Sequence, residues 1–287
     1  MVEVVVAEVV DGKHVLCYTT KMSYSEFIKQ TLQNSSKIAS KHFNNVTSVV
    51  IKSGDNNQVL TEADIAVGNY IVDSVQKAYP DHNIIDEEAG VVDKKSDYTW
   101  VIDPIDGTSN FAVGSPQYGI IIGLLHDNKP VAGGVALPYY DEIITAEKGN
   151  GAFCNGKRMQ VTKEPRLLSS LIAYAIDGHQ ENPALTYEEC EVFARIVLGV
   201  RNIRASGNIS DAMMVAKGKY GAYLNRTSKI WDVVGQHIII EEAGGLCTNF
   251  FGKPMDFSNP LTKVNTNYTF CIGAPKLHKQ LQEIINE

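Results

Sequence analysis

Asp103 and Asp106 stand three positions apart in the stretch Asp103-Pro104-Ile105-Asp106-Gly107-Thr108-Ser109-Asn110-Phe111. The apolar run before them, Trp100-Val101-Ile102, reads as a buried strand. Pro104 and Gly107 are expected to break that strand and force a turn. Two carboxylates at the carboxyl end of a buried strand are unfavourable unless a cation lies between them. The stretch contains no Lys or Arg, so a divalent metal ion is the natural partner. Hard cations such as Mg²⁺ take oxygen ligands, and a bend can turn a backbone carbonyl, here that of Ile105, the same way. For an isolated Asp-Pro-x-Asp-Gly the plainer reading is a turn with two solvated aspartates. Three further acidic positions argue against it.

Asp86-Glu87-Glu88 follows the short apolar run Asn83-Ile84-Ile85. Alone it reads as a solvated acidic turn. Consecutive strands are often neighbours in a sheet, which would let Glu87 or Glu88 share metal ions with Asp103 and Asp106. Asp64 lies three residues after Thr61, a capping-box variant at a helix start. It either serves the cap alone or reaches the acidic site. Asp232 falls in the first turn of a helix opened by Ile230-Trp231, where it either complements the helix dipole or joins the cluster. Gly207, in Ser206-Gly207-Asn208, sits at a strand-to-helix junction. It marks either a plain connection or a set of backbone N–H groups open to a phosphate.

Elements of both kinds must position these residues. Val2–Val10, Asp11-Gly12 and 14–20 read as a β-hairpin ribbon, with Met22-Ser23 as a second plausible beginning of the chain. A helix is expected over 25–43, with Phe27, Ile28, Leu32, Ile38 and Phe43 on its apolar side. A strand at 48–51 and a loop at 52–57 precede the helix that Thr61 opens, whose apolar residues are Ile65, Ile71, Val72 and Val75. Residues 118–146 read as β-rich, including a hairpin turned at Asp127-Asn128. The second half alternates: a strand at 171–175, a helix at 184–198 with Leu185, Val192, Phe193 and Ile196 inward, and a strand end at 201–204. A helix through Met213 and Met214, a strand at 222–224, the helix from Ile230 to the Gly244-Gly245 stop, two strands and a closing helix at 275–285 follow. No repeat or linker divides the chain, so residues 22–287 are expected to be a single domain and 1–21 an extension.

Composition bounds the function. The chain has 287 residues, 44% of them hydrophobic and 21% charged, an ordinary globular composition with room for a large core. A net charge of −7 argues against a nucleic-acid surface. The five cysteines, Cys17, Cys154, Cys190, Cys247 and Cys271, show no Cys-x-x-Cys spacing and are expected to be reduced, buried thiols of a cytoplasmic protein. No apolar run approaches membrane-spanning length, and the start of the chain is a poor signal peptide. The seven histidines share no ligand spacing. Gly-x-Ser-x-Gly, Walker A and Gly-x-Gly-x-x-Gly motifs are absent from the sequence.

Asp103–Phe111 (DPIDGTSNF) and Trp231–Gly245 (WDVVGQHIIIEEAGG) resemble the two signatures of the inositol monophosphatase family. The segments around Asp64 (LTEAD) and Glu87 (DEEAG), and Gly149–Gly156 (GNGAFCNG), fall in that family's order, so the resemblance covers the chain from about Ser23 onward. It implies a layered α-β-α-β-α sandwich of mixed α and β structure, often dimeric. It also implies a Mg²⁺-dependent phosphatase of a class with many lithium-inhibited members, acting on a small phosphorylated metabolite; the charge and the lack of a long apolar run set the expectation of no nucleic-acid and no membrane partner.

Position by position, the resemblance implies that Glu87, Asp103 and the Ile105 carbonyl hold a first Mg²⁺, and Asp103, Asp106 and Asp232 a second. Glu87 would help hold a third, weaker ion. Thr108, oriented by Asp64, and Glu87 would position and deprotonate the attacking water without a covalent phosphoenzyme. Gly107 and Thr108 would bind the phosphate through backbone N–H groups. The substrate side would comprise Gly207, Asn208, Ile209, Asn225 and Asp232, and Lys52 matches a lysine near the site. Two departures bear on substrate: Asn208 replaces the usual Thr or Ser, and Asn225 replaces a Glu that contacts inositol hydroxyls. Phe111–Pro116 (FAVGSP) also resembles the histidinol-phosphate branch. The expected function is therefore hydrolysis of a small polyol or sugar phosphate such as inositol 1-phosphate. Histidinol phosphate, fructose 1,6-bisphosphate or a nucleotide are the alternatives within the superfamily, with Arg204, Lys217, Arg226 and Lys229 available for a second phosphate. A catalytically silent regulatory protein is the alternative of another class.

Overall fold

The computed structural model describes residues 2–3, 9–10, 13–14, 21–51 and 59–287. Its largest sheet has eight strands, in the order Lys157–Arg158, Gly151–Cys154, Glu142–Glu147, Lys129–Leu137, Gly119–His126, Tyr98–Asp106, Asn83–Asp86, Gly90–Val92. All neighbours are antiparallel except Asn83–Asp86 and Tyr98–Asp106, which run parallel. The hairpin at Asp127-Asn128 has positive φ at both residues (50° and 61°), the conformation that matches strand twist in a two-residue turn.

Helices α1 (Tyr24–His42) and α2 (Glu62–Ala78) cover one face of this sheet. Ser23 opens α1 by accepting the Glu26 N–H at 3.2 Å. Phe27, Ile28, Leu32 and Ala39 of α1 pack with Val67, Ile71 and Val75 of α2 on Trp100, Ile102 and Ile122. Ile38 and Phe43 lie at the edge of that core, and Ile65, expected inward, is half exposed because Asp64 and Val67 face the sheet instead.

The other face carries α5 (Ile209–Ala216) and α6 (Ile230–Glu242), which are shared with a second, five-stranded sheet. Its order is Asn202–Arg204, Leu171–Ala175, Ala222–Ser228, Tyr268–Gly273, Leu246–Thr248; the first three strands are parallel and the last two pairings antiparallel. Helices α4 (Pro183–Gly199) and α7 (Pro275–Ile285) close its outer side over Ile172, Leu224 and Cys271. The sequence of layers is thus α-β-α-β-α. On α4 the buried residues are Glu189, Val192 and Ile196, with Phe193 partly covered; Leu185 lies a turn too early and is exposed.

Two more expectations change. Pro104 does not end its strand, which runs to Asp106. Asp103 pairs with Ile121 and Asp106 with Gly119, so two residues, Pro104 and Ile105, oppose Ile120 alone in a β-bulge. On the other side the parallel partner stops at Asp86, opposite Ile102, so no ladder bond requires an N–H from Pro104. The turn comes at Gly107, whose φ of +83° suits glycine. Of the thiols, only Cys271 is buried; Cys190 is exposed on α4, and Cys154 and Cys247 are half-buried, while Cys17 lies outside the described residues. In the N-terminal ribbon, Val9–Val10 pairs antiparallel with Lys13–His14, with Asp11-Gly12 outside the described residues, and Val2–Glu3 pairs with Lys21–Met22.

Candidate active site

The bulge and the helix starts converge on one cavity of about 1070 Å³ between the two sheets. Each of Asp103, Asp106 and Asp232 offers a carboxylate oxygen there, all within 4.8 Å of one another. Asp103 and Asp106 point the same way because the bulge inserts one extra residue between them. Asp232 arrives on α6, where its Oδ2 also accepts the Lys229 N–H at 2.5 Å, so it caps the helix and joins the cluster.

The position of α6 depends on three glycines. Gly123 and Gly133 are cross-strand partners and form a flat patch on the sheet. A Cβ on Gly123 would lie 2.8 Å from the Gly235 nitrogen, one on Gly133 2.7 Å from the Gly235 oxygen, and one on Gly235 3.0 Å from the Ile122 oxygen. Helix and sheet therefore meet backbone to backbone, which brings Asp232 down to the level of Asp103. An isolated Gly inside a strand pattern is the sequence signal for such an approach.

Glu87 follows the strand Asn83–Asp86, donates its N–H to the Ile102 carbonyl at 3.2 Å and lines the same cavity. It lies outside the tightest cluster, but its charge acts on Asp103 and Asp106. Burial, and then the charges of Glu87, Asp106 and Asp232, push the Asp103 carboxyl well above the usual carboxylate range. Asp106 is raised in the same way, by burial and then by Asp232, although it accepts the Ile209 N–H. The buried Asp103 Oδ1 has no hydrogen-bond donor. Buried carboxylates with an orphaned oxygen and only oxygen atoms converging are the donor set of a hard divalent cation, so these residues fit Mg²⁺.

Asp64 serves the cap and contacts Thr108, not the acidic cluster itself. Its Oδ2 accepts the Thr61 N–H (2.8 Å) and hydroxyl (2.6 Å), closing the capping box of α2. Its Oδ1 lies 3.0 Å from the Thr108 hydroxyl, which is also 2.8 Å from the Ile105 carbonyl. Burial raises its pKa, opposed by the hydrogen bonds from Thr61 and Thr108. Gly107 and Thr108 form the N-terminal turn of the short helix α3 (Thr108–Ala112) at the cavity edge.

The start of α5 is closed, not open. Gly207 N–H donates to Asp211 Oδ2 at 3.1 Å, Ile209 N–H to Asp106 Oδ2, and Ser210 N–H to Asn208 Oδ1 at 2.9 Å. Gly207, Asn208 and Ile209 line the cavity, but these N–H groups already have acceptors, which removes them as a phosphate cradle. Asp211, not anticipated from sequence, is buried and pushed by that burial up to about 6. Asn225 also lines the cavity. Of the four basic residues considered, only Lys229 does so. Lys217 pairs with Glu142, Arg226 with Glu188 at 3.2 Å, and Arg204 bonds its neighbour's carbonyl at 2.8 Å. Lys52 lies outside the described residues.

The model of the Inositol monophosphatase family matches residues 21–287. The chain belongs to this family. As a member, it is 31% identical over 245 residues to inositol monophosphatase 1 of Bos taurus, covering 84% of this chain and 87% of the bovine one. A protein of Aquifex aeolicus named fructose-1,6-bisphosphatase/inositol-1-monophosphatase is 27% identical over 259 residues, 90% of this chain and 97% of its own. The solved structure of an inositol monophosphatase from Thermotoga maritima superposes with a TM-score of 0.80 at 28% identity, over 91% of this chain and 96% of that one. The family is a phosphatase superfamily, and its fold is the layered sandwich described above.

Proposed function

We propose that this family member is a Mg²⁺-dependent phosphomonoesterase of a small polyol or sugar phosphate, acting through a directly attacking water. The observation that carries this reading is the convergence of Asp103, Asp106 and Asp232 within 4.8 Å at a cavity that Thr108 and Glu87 also line. Glu87, Asp103, the Ile105 carbonyl, Asp106 and Asp232 would hold the divalent cations, which when bound would supply positive charge to the phosphate and acidify water.

The chain's own groups do the rest. Thr108 has one hydroxyl hydrogen and two acceptors behind it, Asp64 Oδ1 and the Ile105 carbonyl. Its lone pairs therefore face the cavity, where they can accept a hydrogen from the attacking water and fix its direction. Glu87 offers a carboxylate in the same cavity that can take the water's second proton. Gly107 and Thr108, at the first turn of α3, offer backbone N–H groups to the phosphate. A single ammonium, that of Lys229, lines the cavity among the described residues, and its Nζ lies 3.2 Å from the Asn265 carbonyl. That arrangement supports a monophosphate over a bisphosphate. The reading includes a cytoplasmic homodimer inhibited by lithium, which light scattering and assays with added Li⁺ check.

The test is phosphate release from a panel of phosphomonoesters, with and without Mg²⁺, by the wild-type protein and Asp103→Asn. Release that needs Mg²⁺ and is lost in the variant is expected. Folded wild-type protein that binds Mg²⁺ by calorimetry yet releases phosphate from no member of the panel would favour the silent-protein alternative and overturn the reading.

A further inference from the structure

The cavity wall also includes the segment 176–182, which leaves the strand Leu171–Ala175, and the end of the neighbouring strand Ala222–Ser228. These strands are parallel with Ala175 opposite Asn225, so Asp177 and Thr227 each lie two residues past the same rung. They meet: the Thr227 hydroxyl donates to Asp177 Oδ2. The Thr227 N–H donates to Asn225 Oδ1 at 2.6 Å. One residue thereby fixes both a carboxylate and an amide on the wall.

Among the described residues, no Lys, Arg or His nitrogen makes an ion pair with Asp177. Arg226 turns to Glu188 and lies over the Phe250 ring at 5.3 Å, and His179 turns to Glu189 at 3.8 Å. A half-buried carboxylate held in one orientation can take a charge-assisted hydrogen bond from a cationic ligand group. A neutral hydroxyl would give Asp177 one hydrogen bond and leave its charge uncompensated; an ammonium gives both. Asp177 and Glu181 both line the cavity.

We infer that Asp177 is a specificity-determining residue that binds an ammonium group on the alcohol half of the substrate, which makes phosphate esters of amino alcohols the favoured class. The inference rests on the phosphomonoesterase reading and replaces its neutral polyol or sugar alcohol with one that carries an ammonium group. Thr227 acts through Asp177 as a positioning residue.

The experiment compares ω-aminoalkyl phosphates of two to five carbons with their hydroxyl-ended counterparts, using 4-nitrophenyl phosphate as a reference. At the best-fitting length the ammonium compound is expected to exceed its hydroxyl partner in kcat/KM by about tenfold, the scale of one charge-assisted hydrogen bond. That ratio should shrink as salt is raised. Asp177→Asn keeps the side chain's shape and an acceptor for Thr227, and should bring the ratio near one, chiefly through KM. Thr227→Val should give an intermediate ratio. Thermal unfolding checks that both variants fold. Turnover of 4-nitrophenyl phosphate with no ammonium preference at any length, or a preference that Asp177→Asn leaves intact, overturns the inference alone. No turnover of any compound takes the phosphomonoesterase reading down with it.

Discussion

Thr108 and Asp64 show how two neutral-looking sequence features become one device. The Thr108 hydroxyl is held from behind at 3.0 Å by a carboxylate whose other oxygen closes a helix cap. The two functions separate by mutation. Thr108→Val is expected to lower kcat about 10- to 100-fold, the usual effect of an orienting outer partner, with the melting temperature and the Mg²⁺ binding enthalpy unchanged. Asp64→Ala should lower kcat similarly and also cost about 1 kcal/mol of stability, the scale of a lost cap, read by urea denaturation. An equal loss of stability in both variants would contradict this division.

At the level of elements, the site depends on how closely α6 seats against the sheet. Gly235→Ala would drive a Cβ to 3.0 Å from the Ile122 oxygen and 2.5 Å from Ile121 Cγ2. Overpacking of this kind costs about 1–3 kcal/mol. Because the helix must lift, Asp232 moves with it, and Mg²⁺ affinity measured by calorimetry should fall as well. Gly244 is the contrast: its φ is +84° with nothing near the added Cβ. Alanine there strains only the backbone, by about 1 kcal/mol, and Mg²⁺ affinity should be retained. Both positions are glycines in one helical signature, and only the packing partner tells them apart.

For the whole molecule, acidity concentrated between two sheets sets the pH response. Asp103 and Asp106 have carboxyls raised by burial and by each other's neighbours, and Asp211 is raised by burial to about 6. A carboxyl whose folded pKa is raised favours the fold while protonated. Its contribution is full below the ordinary carboxylate range and is lost as pH rises through the raised value. Metal-free protein should therefore lose stability between about pH 4 and 7, and Mg²⁺ should restore it by an amount that grows over the same window. Differential scanning fluorimetry in chelator and in Mg²⁺ reads both trends. Glu62, lowered to about 2 by hydrogen bonds from Thr47, acts oppositely, and its contribution is lost only as pH falls below about 4. A metal-free melting temperature that rises steadily from pH 4 to 7 would contradict the assignment.

The chain's own order of residues determined much of this. Hydrophobic period located α1, α2 and α6, and carboxylates that follow a buried run without nearby cations marked Asp103 and Asp106, because an uncompensated buried charge is too unfavourable to be incidental, while the choice between Glu87 and Glu88 stayed open until the family resemblance pointed to Glu87. The cap made by Asp64 was readable from its spacing to Thr61, whereas its contact with Thr108 was implied only by the family resemblance. What only the tertiary structure decided were relations between distant segments. Pro104 continues its strand because its parallel neighbour has already ended. The helix start at Gly207 is closed because Asp106 and Asp211 reach its N–H groups. Leu185 and Ile65 face outward because the faces of their helices were set by the sheets beneath them. Asp177 became a wall residue only when two parallel strands ended side by side. Local sequence fixes periodicity and chemistry, whereas register, close approach and the satisfaction of buried polar groups depend on partners tens of residues away.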